Sequence, residues 1–256
     1  MNAIFVSQNC YERIMMTPAE IFTNLEDFGN QNANPAIVAK YARYFKDGYD
    51  AYGLNQEQVA AKVKELLSLP GITQELVLET SLLLVKSPRY EMTVIAIRLV
   101  QGFNKEWTIA AFNTVGKWFS VGITNWAQTD YICGELMNLF FRKKLIDLHS
   151  IDSWRSASNK FQRRAAVVSL IKPMKLSSDF TAYFEFIEPM MHDPEREVHQ
   201  GLGWFLRETW KKQPAVAEAF LLKYIETAPR LIFQYACEKM TPQGKELFRR
   251  SKRVNS

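Results

Sequence analysis

Trp126 and Asp130 stand four residues apart in the segment NWAQTD (125–130), behind an asparagine suited to capping a helix, so both side chains leave one helical face. Two explanations fit such a pair: a packed tryptophan beside a solvated carboxylate, or an acid with a chemical role. On a basic surface an acid has the wrong charge simply to hold an anion, which gives the second explanation weight. Trp204 and Arg207 form another pair, at i and i+3 in residues 201–208, which read GLGWFLRE. Each glycine inside a helix costs about 1 kcal/mol relative to alanine, so a neighbouring backbone or a ligand is expected to approach closely there. An indole and a guanidinium on one face would suit a sugar and a phosphate, or would form the amphipathic rim of a tightly packed helix pair. Arg163 and Arg164 precede the apolar run AAVVSLI. Their planar forks suit either acidic groups elsewhere in the fold or phosphates.

Other chemistries are missing. Gly48 and Gly53 have the spacing of a phosphate-binding loop, but Leu54 stands where its lysine belongs. Gly201 and Gly203 are followed by Leu206 instead of a third glycine, and no strand precedes them. His149, His192 and His199 make no metal-binding motif and are read as surface or core histidines. No serine or cysteine lies in a nucleophile-elbow context. No metal and no organic cofactor are expected.

The 256 residues are 47% hydrophobic and 23% charged, ordinary for a globular protein, and suffice for a substantial core. Net charge is +5 and unevenly spread: residues 1–128 carry 11 basic and 12 acidic side chains, residues 129–256 carry 21 and 15. An anionic partner is favoured, although five of the basic residues fall in 245–253. Cys10, Cys133 and Cys237 are odd in number and far apart, which argues against a disulfide framework and for a reducing cytoplasm. The first ten residues do not read as a signal peptide, and no apolar run is long enough to span a membrane.

These residues must be positioned by helices. Thr17, Pro18 and Glu20 spell a capping box with proline at the first helical position. Residues 29–34 (GNQNAN) read as a polar loop, and Asn34-Pro35 opens a helix expected to run through Tyr44, Phe45, Lys46, Tyr49 and Tyr52 to Gly53. Further helices are expected from the cap at Asn55, at 73–86, around Met92 to Leu99, and at 105–119, 125–141, 160–172, 178–191, 194–211, 214–226 and 229–239. No stretch alternates with period two, so the fold class is all-α. Small residues recur at Ala165, Gly201 and Ala236, at offsets of 36 and 35, which suits stacked HEAT- or armadillo-type helix pairs better than a non-repeating bundle. A single domain over 1–256 is expected, as a right-handed α-solenoid with a concave basic cleft and loose tails at 1–16 and 245–256.

In this order the features resemble the AlkD-type DNA alkylation repair family, HEAT-like-repeat alkylpurine DNA glycosylases. Residues 203–208 (GWFLRE) are close to the family's GWxLRE, residues 162–166 (QRRAA) to its QRxA, and 44–53 to its YxK…F…G segment; Trp126 and Asp130 keep the spacing of W-D-x-x-D. The resemblance implies that Asp130 is the catalytic carboxylate and that Trp126 and Trp204 flank the deoxyribose of the damaged nucleotide. It also implies that Arg163, Arg164, Arg207 and Lys46 meet the DNA backbone. The partner would be double-stranded DNA with alkylated bases, bound by a cytoplasmic, nucleoid-associated monomer without a membrane contact. Capture through the backbone is implied, without extrusion of the base. Ala127 replaces the first acid of W-D-x-x-D, and the family's RExxK reads YACEK at 235–239. Two alternatives accompany the glycosylase: a non-catalytic paralogue binding damaged or branched DNA, and a protein-binding helical scaffold.

Overall fold

The computed structural model describes residues 16–46 and 48–249, and all regular structure among them is helical. The chain divides into two compact units, one ending at Phe103 and the other starting at Asn104.

In the first unit α1 (Pro18–Gln31) starts on the expected capping box: Thr17 N–H donates to the Glu20 carboxylate at 2.7 Å and Glu20 N–H to the Thr17 hydroxyl at 3.3 Å. It continues through Gly29, where a loop was expected. Gly29 faces the Tyr52 ring so closely that a Cβ would lie 2.6 Å from it, and that packing favours the extra turn. The Asn34 side chain caps α2 (Pro35–Ala42) as expected, but α2 ends well before Tyr52. Tyr44, Phe45 and Lys46 are therefore not helical, and Lys46 is exposed.

A distant acid keeps the end of this segment out of a helix. Glu91, only 4% exposed, accepts the N–H groups of Tyr52 (2.9 Å), Gly53 (2.7 Å) and Leu54 (3.0 Å). Donors held by a carboxylate cannot close helical turns, and Gly53 adopts φ +84°, open to glycine at little cost. Phe45 and Tyr49 stack at 4.5 Å beside Tyr90, and burial pushes the Tyr49 hydroxyl's pKa up. Then α3 (Gln56–Ser68), α4 (Gln74–Lys86) and α5 (Tyr90–Gly102) follow the expected caps and breaks. Leu25, Leu66, Leu84, Val85, Met92 and Ile95 form the core of this unit.

The second unit opens with α6 (Ile109–Val121), capped by Thr108 and so starting later than expected. A longer helix follows in three parts: α7 (Trp126–Ile132), a wider π turn (Cys133–Met137) and α8 (Asn138–Arg142). After a 3-10 segment (His149–Ser156) come α9 (Lys160–Val168), α10 (Ile171–Leu176) and α11 (Thr181–Ile187), the last running into a 3-10 turn (Glu188–His192). The continuous helices expected at 160–172 and 178–191 are thus broken. The unit closes with α12 (Arg196–Lys212), α13 (Pro214–Leu222), α14 (Arg230–Ala236) and a short α15 (Pro242–Glu246) absent from the sequence reading. The tails expected to be loose lie largely outside the described residues.

Helix α9 packs on α7, α12 on α9 and α14 on α12. Hydrogen bonds link corresponding positions 32 to 35 residues apart: Cys133 to Ala165, Asp130 to Arg164, Arg164 to Glu197 and Gln200 to Tyr235. Ala165, Gly201 and Ala236, whose recurrence suggested the repeat, are all buried within this stack.

Replacing Glu91 by alanine strands three backbone donors at once. We expect Glu91→Ala to lower stability by about 3 kcal/mol in urea unfolding and to speed amide exchange at Tyr52, Gly53 and Leu54.

Candidate active site around Asp130

The site begins at the first turn of α7. The Asn125 side chain accepts the Gln128 N–H at 2.9 Å, which fixes the helix start and places Trp126 at its first position, 40% exposed. One turn later Asp130 meets Arg164 of α9 in a two-pronged pair: Nε donates to Oδ1 and Nη2 to Oδ2, both at 2.8 Å. The third nitrogen, Nη1, donates to the backbone carbonyl of Glu197 on α12 at 2.7 Å. Gly201 gives this side chain its passage, since a Cβ there would lie 3.4 Å from Arg164 Cγ and 3.3 Å from Val168.

Arg164 is only 5% exposed, whereas the Asp130 side chain keeps 18% of its surface. Burial works against the guanidinium charge, but the hydrogen bonds and charge of Asp130 outweigh it and raise the arginine's pKa. Each Asp130 oxygen takes one bond from Arg164, and a carboxylate accepts about four in all, so Asp130 retains acceptor capacity towards solvent. Immediately after it, the π turn rotates the later helix off the face that carries Trp126 and Asp130. Cys133, at the start of that turn, is buried; burial pushes its thiol pKa up to about 12.

The other sequence candidates are distributed around this pair. Arg163 points the opposite way along α9: Nε donates to Asp193 at 2.7 Å and Nη1 to the carbonyls of Ala157 and Ser158 at 2.8 and 3.2 Å. The helix expected from residue 194 starts at Arg196, and Asp193, bonded to Arg163, lies before it. Trp204 is half-buried on α12. Arg207 bonds Glu238 through Nη1, while its Nε is buried without a hydrogen-bond partner, 3.5 Å from Glu208. Gly203 is explained by a backbone and not a ligand: a Cβ there would lie 2.5 Å from Tyr235 Cβ and 2.7 Å from the Ile232 carbonyl of α14. Lys46 belongs to the first unit.

Asp130 and Arg164 are thus brought together, and Arg163 and Arg207 are tied to Asp193 and Glu238. These pairings, and the bond of Arg164 to the Glu197 carbonyl, escaped the sequence reading. Nothing local marks them, because each partner lies about 30 residues away in the chain. His199 bonds the Asp193 carbonyl at 2.5 Å and the His192 ring packs edge-on against Tyr224.

With this geometry, comparison with known proteins becomes informative. The family profile described as DNA alkylation repair enzyme matches residues 30–240. The chain belongs to this family. Two solved structures resemble it in fold. One is a predicted DNA alkylation repair enzyme from Enterococcus faecalis, with a TM-score of 0.69 at 17% identity over 82% of this chain and 98% of that one. The other is AlkD2 from Streptococcus mutans, with a TM-score of 0.54 at 18% identity over 80% and 98% of the two chains. No curated protein matches significantly in sequence. The expected family and its all-α class both hold. Among the described residues no helix is long and apolar enough to cross a membrane.

The family motif at 203–208 ends on Glu208, whose carboxylate joins neighbouring helices. It pairs with Lys175 of α10 and Lys211 of α12, both at 2.7 Å. Burial disfavours its charge, yet the two ammonium groups prevail and hold its pKa down at about 2. A carboxyl whose pKa is lowered by folding stabilises the fold fully above its ordinary value near 4.5, and that contribution disappears as the pH falls towards 2. Glu208→Gln should therefore lower the thermal midpoint at pH 7 but scarcely at pH 2, so that midpoint depends less on pH across this range than in the unaltered chain.

Proposed function

We propose that this member of the family is a DNA glycosylase that hydrolyses the N-glycosidic bond of N3- and N7-alkylated purines in duplex DNA, with Asp130 as its catalytic carboxylate. The observation that carries the proposal is the two-pronged Asp130–Arg164 pair one turn from the exposed Trp126.

Alkylation at N3 or N7 places positive charge on the purine, so the base departs with the electrons of the C1′–N bond and needs no proton from a general acid. Positive charge then develops on the sugar, as in glycoside hydrolysis. Asp130 stabilises that charge and orients the water whose oxygen forms the new bond to C1′; the water's proton leaves through the carboxylate to solvent. Arg164 makes this possible by fixing both Asp130 oxygens, so that little reorientation is required during reaction. Its burial suits holding Asp130 better than gripping a phosphate. Trp126 and Trp204 offer π faces to the cationic sugar. Arg207 and Lys46 are assigned to the phosphate backbone, with Arg207 exchanging Glu238 for a phosphate oxygen. The chain acts as a monomer in the cytoplasm, without metal or organic cofactor.

A second reading rests on Ala127, which leaves the family's paired acid incomplete: a paralogue that binds damaged or branched DNA without releasing bases. A duplex containing one N7-methylguanine separates the two. Release of the base by the unaltered chain but not by Asp130→Asn, with most DNA affinity retained, is the expected result. Release by both would remove Asp130 from catalysis, and release by neither alongside measurable binding would favour the non-catalytic reading. Arg207→Ala should weaken binding, with a log–log salt slope shallower by about one because one phosphate contact is lost.

A further inference from the structure

Beyond the residues singled out by sequence, Tyr235 occupies an instructive position. The absent side chain of Gly203 lets α14 approach α12 at Tyr235, with an added Cβ meeting Tyr235 Cβ at 2.5 Å. On α12, Gln200 lies one turn before Trp204 and Arg207 one turn after it, so the three share a face. The Gln200 amide donates to the Tyr235 hydroxyl at 2.8 Å. One turn further along the chain from Tyr235, Glu238 receives Arg207. On α12 Trp204 thus lies between two residues bonded from the α14 side, Gln200 to the Tyr235 phenol and Arg207 to the Glu238 carboxylate.

The direction of the Gln200 bond is informative. Its amide is the donor, so the phenol oxygen accepts and its own proton remains to be donated. Among the described residues nothing takes that proton, and Tyr235 is half-buried, with part of its surface open. The Gln200 bond joins α12 to α14 and at the same time fixes the direction of the phenol. Tyr235 also lies within electrostatic reach of Arg164, the partner of Asp130.

We propose that Tyr235, oriented by Gln200, contacts DNA directly, donating a hydrogen bond to a non-bridging oxygen of a phosphate flanking the nucleotide at Trp204. A phosphate oxygen suits this position because it is a strong acceptor for a neutral donor, and tyrosine hydroxyls serve in this way on nucleic-acid backbones. The inference rests on the placement of the damaged nucleotide at Trp204, but it concerns binding and needs no base release.

The test measures affinity for a duplex carrying 2′-fluoro-N7-methylguanine, whose glycosidic bond resists cleavage, so that failure of the glycosylase assignment leaves the result readable. Tyr235→Phe should weaken binding about 10-fold, the loss of one hydrogen bond to a charged acceptor, with the thermal midpoint lowered only slightly by loss of the Gln200 bond. The salt slope should also be unchanged, because no charge is removed. Gln200→Ala, which leaves the phenol unoriented, should weaken binding in the same direction by less. With both phosphates flanking the lesion replaced by methylphosphonates, each of which keeps one neutral and weaker acceptor oxygen, the Tyr235→Phe defect should shrink to about 3-fold or less. Equal affinity of Tyr235→Phe and the unaltered chain on the ordinary duplex would overturn the proposal, as would a Tyr235→Phe defect that is undiminished on the methylphosphonate duplex.

Discussion

A guanidinium removed from water must find a counter-charge and partners for its donors, and Arg164 meets that condition through three successive helices of the stack. Its two-pronged bond reaches Asp130 on α7, its remaining nitrogen reaches the Glu197 carbonyl on α12, and it extends from α9 between them. An incomplete set of partners would leave a charge nearly buried without compensation. The relative setting of α7, α9 and α12 is therefore tied to the orientation of one carboxylate. The same carboxylate is the only member of the pair with appreciable exposure, so a structural requirement and a chemically usable acid coincide in Asp130.

The remainder of the stack uses small residues where that pair uses charge. Gly201 clears the path of Arg164, Gly203 admits the backbone of α14, and Ala165 and Ala236 are buried between neighbouring helices. Polar bonds such as Gln200–Tyr235 and Arg163–Asp193 then connect one repeat to the next across about one repeat length. Apolar burial gives each unit its core, while these directional contacts fix which side chains meet at the helix ends. The helical glycines, costly in isolation, are compensated by close approach of neighbouring elements.

Local chemistry in the chain was legible where it is self-contained. The capping box at Thr17 and the caps at Asn34 and Asn55 act within a few residues, and the helices they announce are present. Legibility failed where a distant group intervenes. Apolar and aromatic residues up to Tyr52 carry a helical pattern, but Glu91 takes the N–H groups of Tyr52, Gly53 and Leu54 from far along the chain. Asp193 has the character of a helix cap, yet it bonds Arg163 of α9, and α12 starts at Arg196. The breaks at Ser169 and Glu188, by contrast, carried a local signal that went unused: Pro173 has no N–H for the Ser169 carbonyl four residues earlier, and Pro189 follows Glu188 directly.

By itself the sequence determined the all-α class, the period near 35 residues, and the motifs that align with DNA alkylation repair proteins, because periodicity, caps and small-residue spacing are properties of the chain read in order. The tertiary structure alone decided how similar side chains differ. Arg163, Arg164 and Arg207 look alike as residues, but one clamps Asp193, one is buried on Asp130, and one rests on Glu238 with a nitrogen unpartnered. Those differences arise from burial and from acids about 30 residues away, and neither is encoded locally. Gln200 and Tyr235 become a pair for the same reason: only the close approach allowed at Gly203 brings the amide to the phenol.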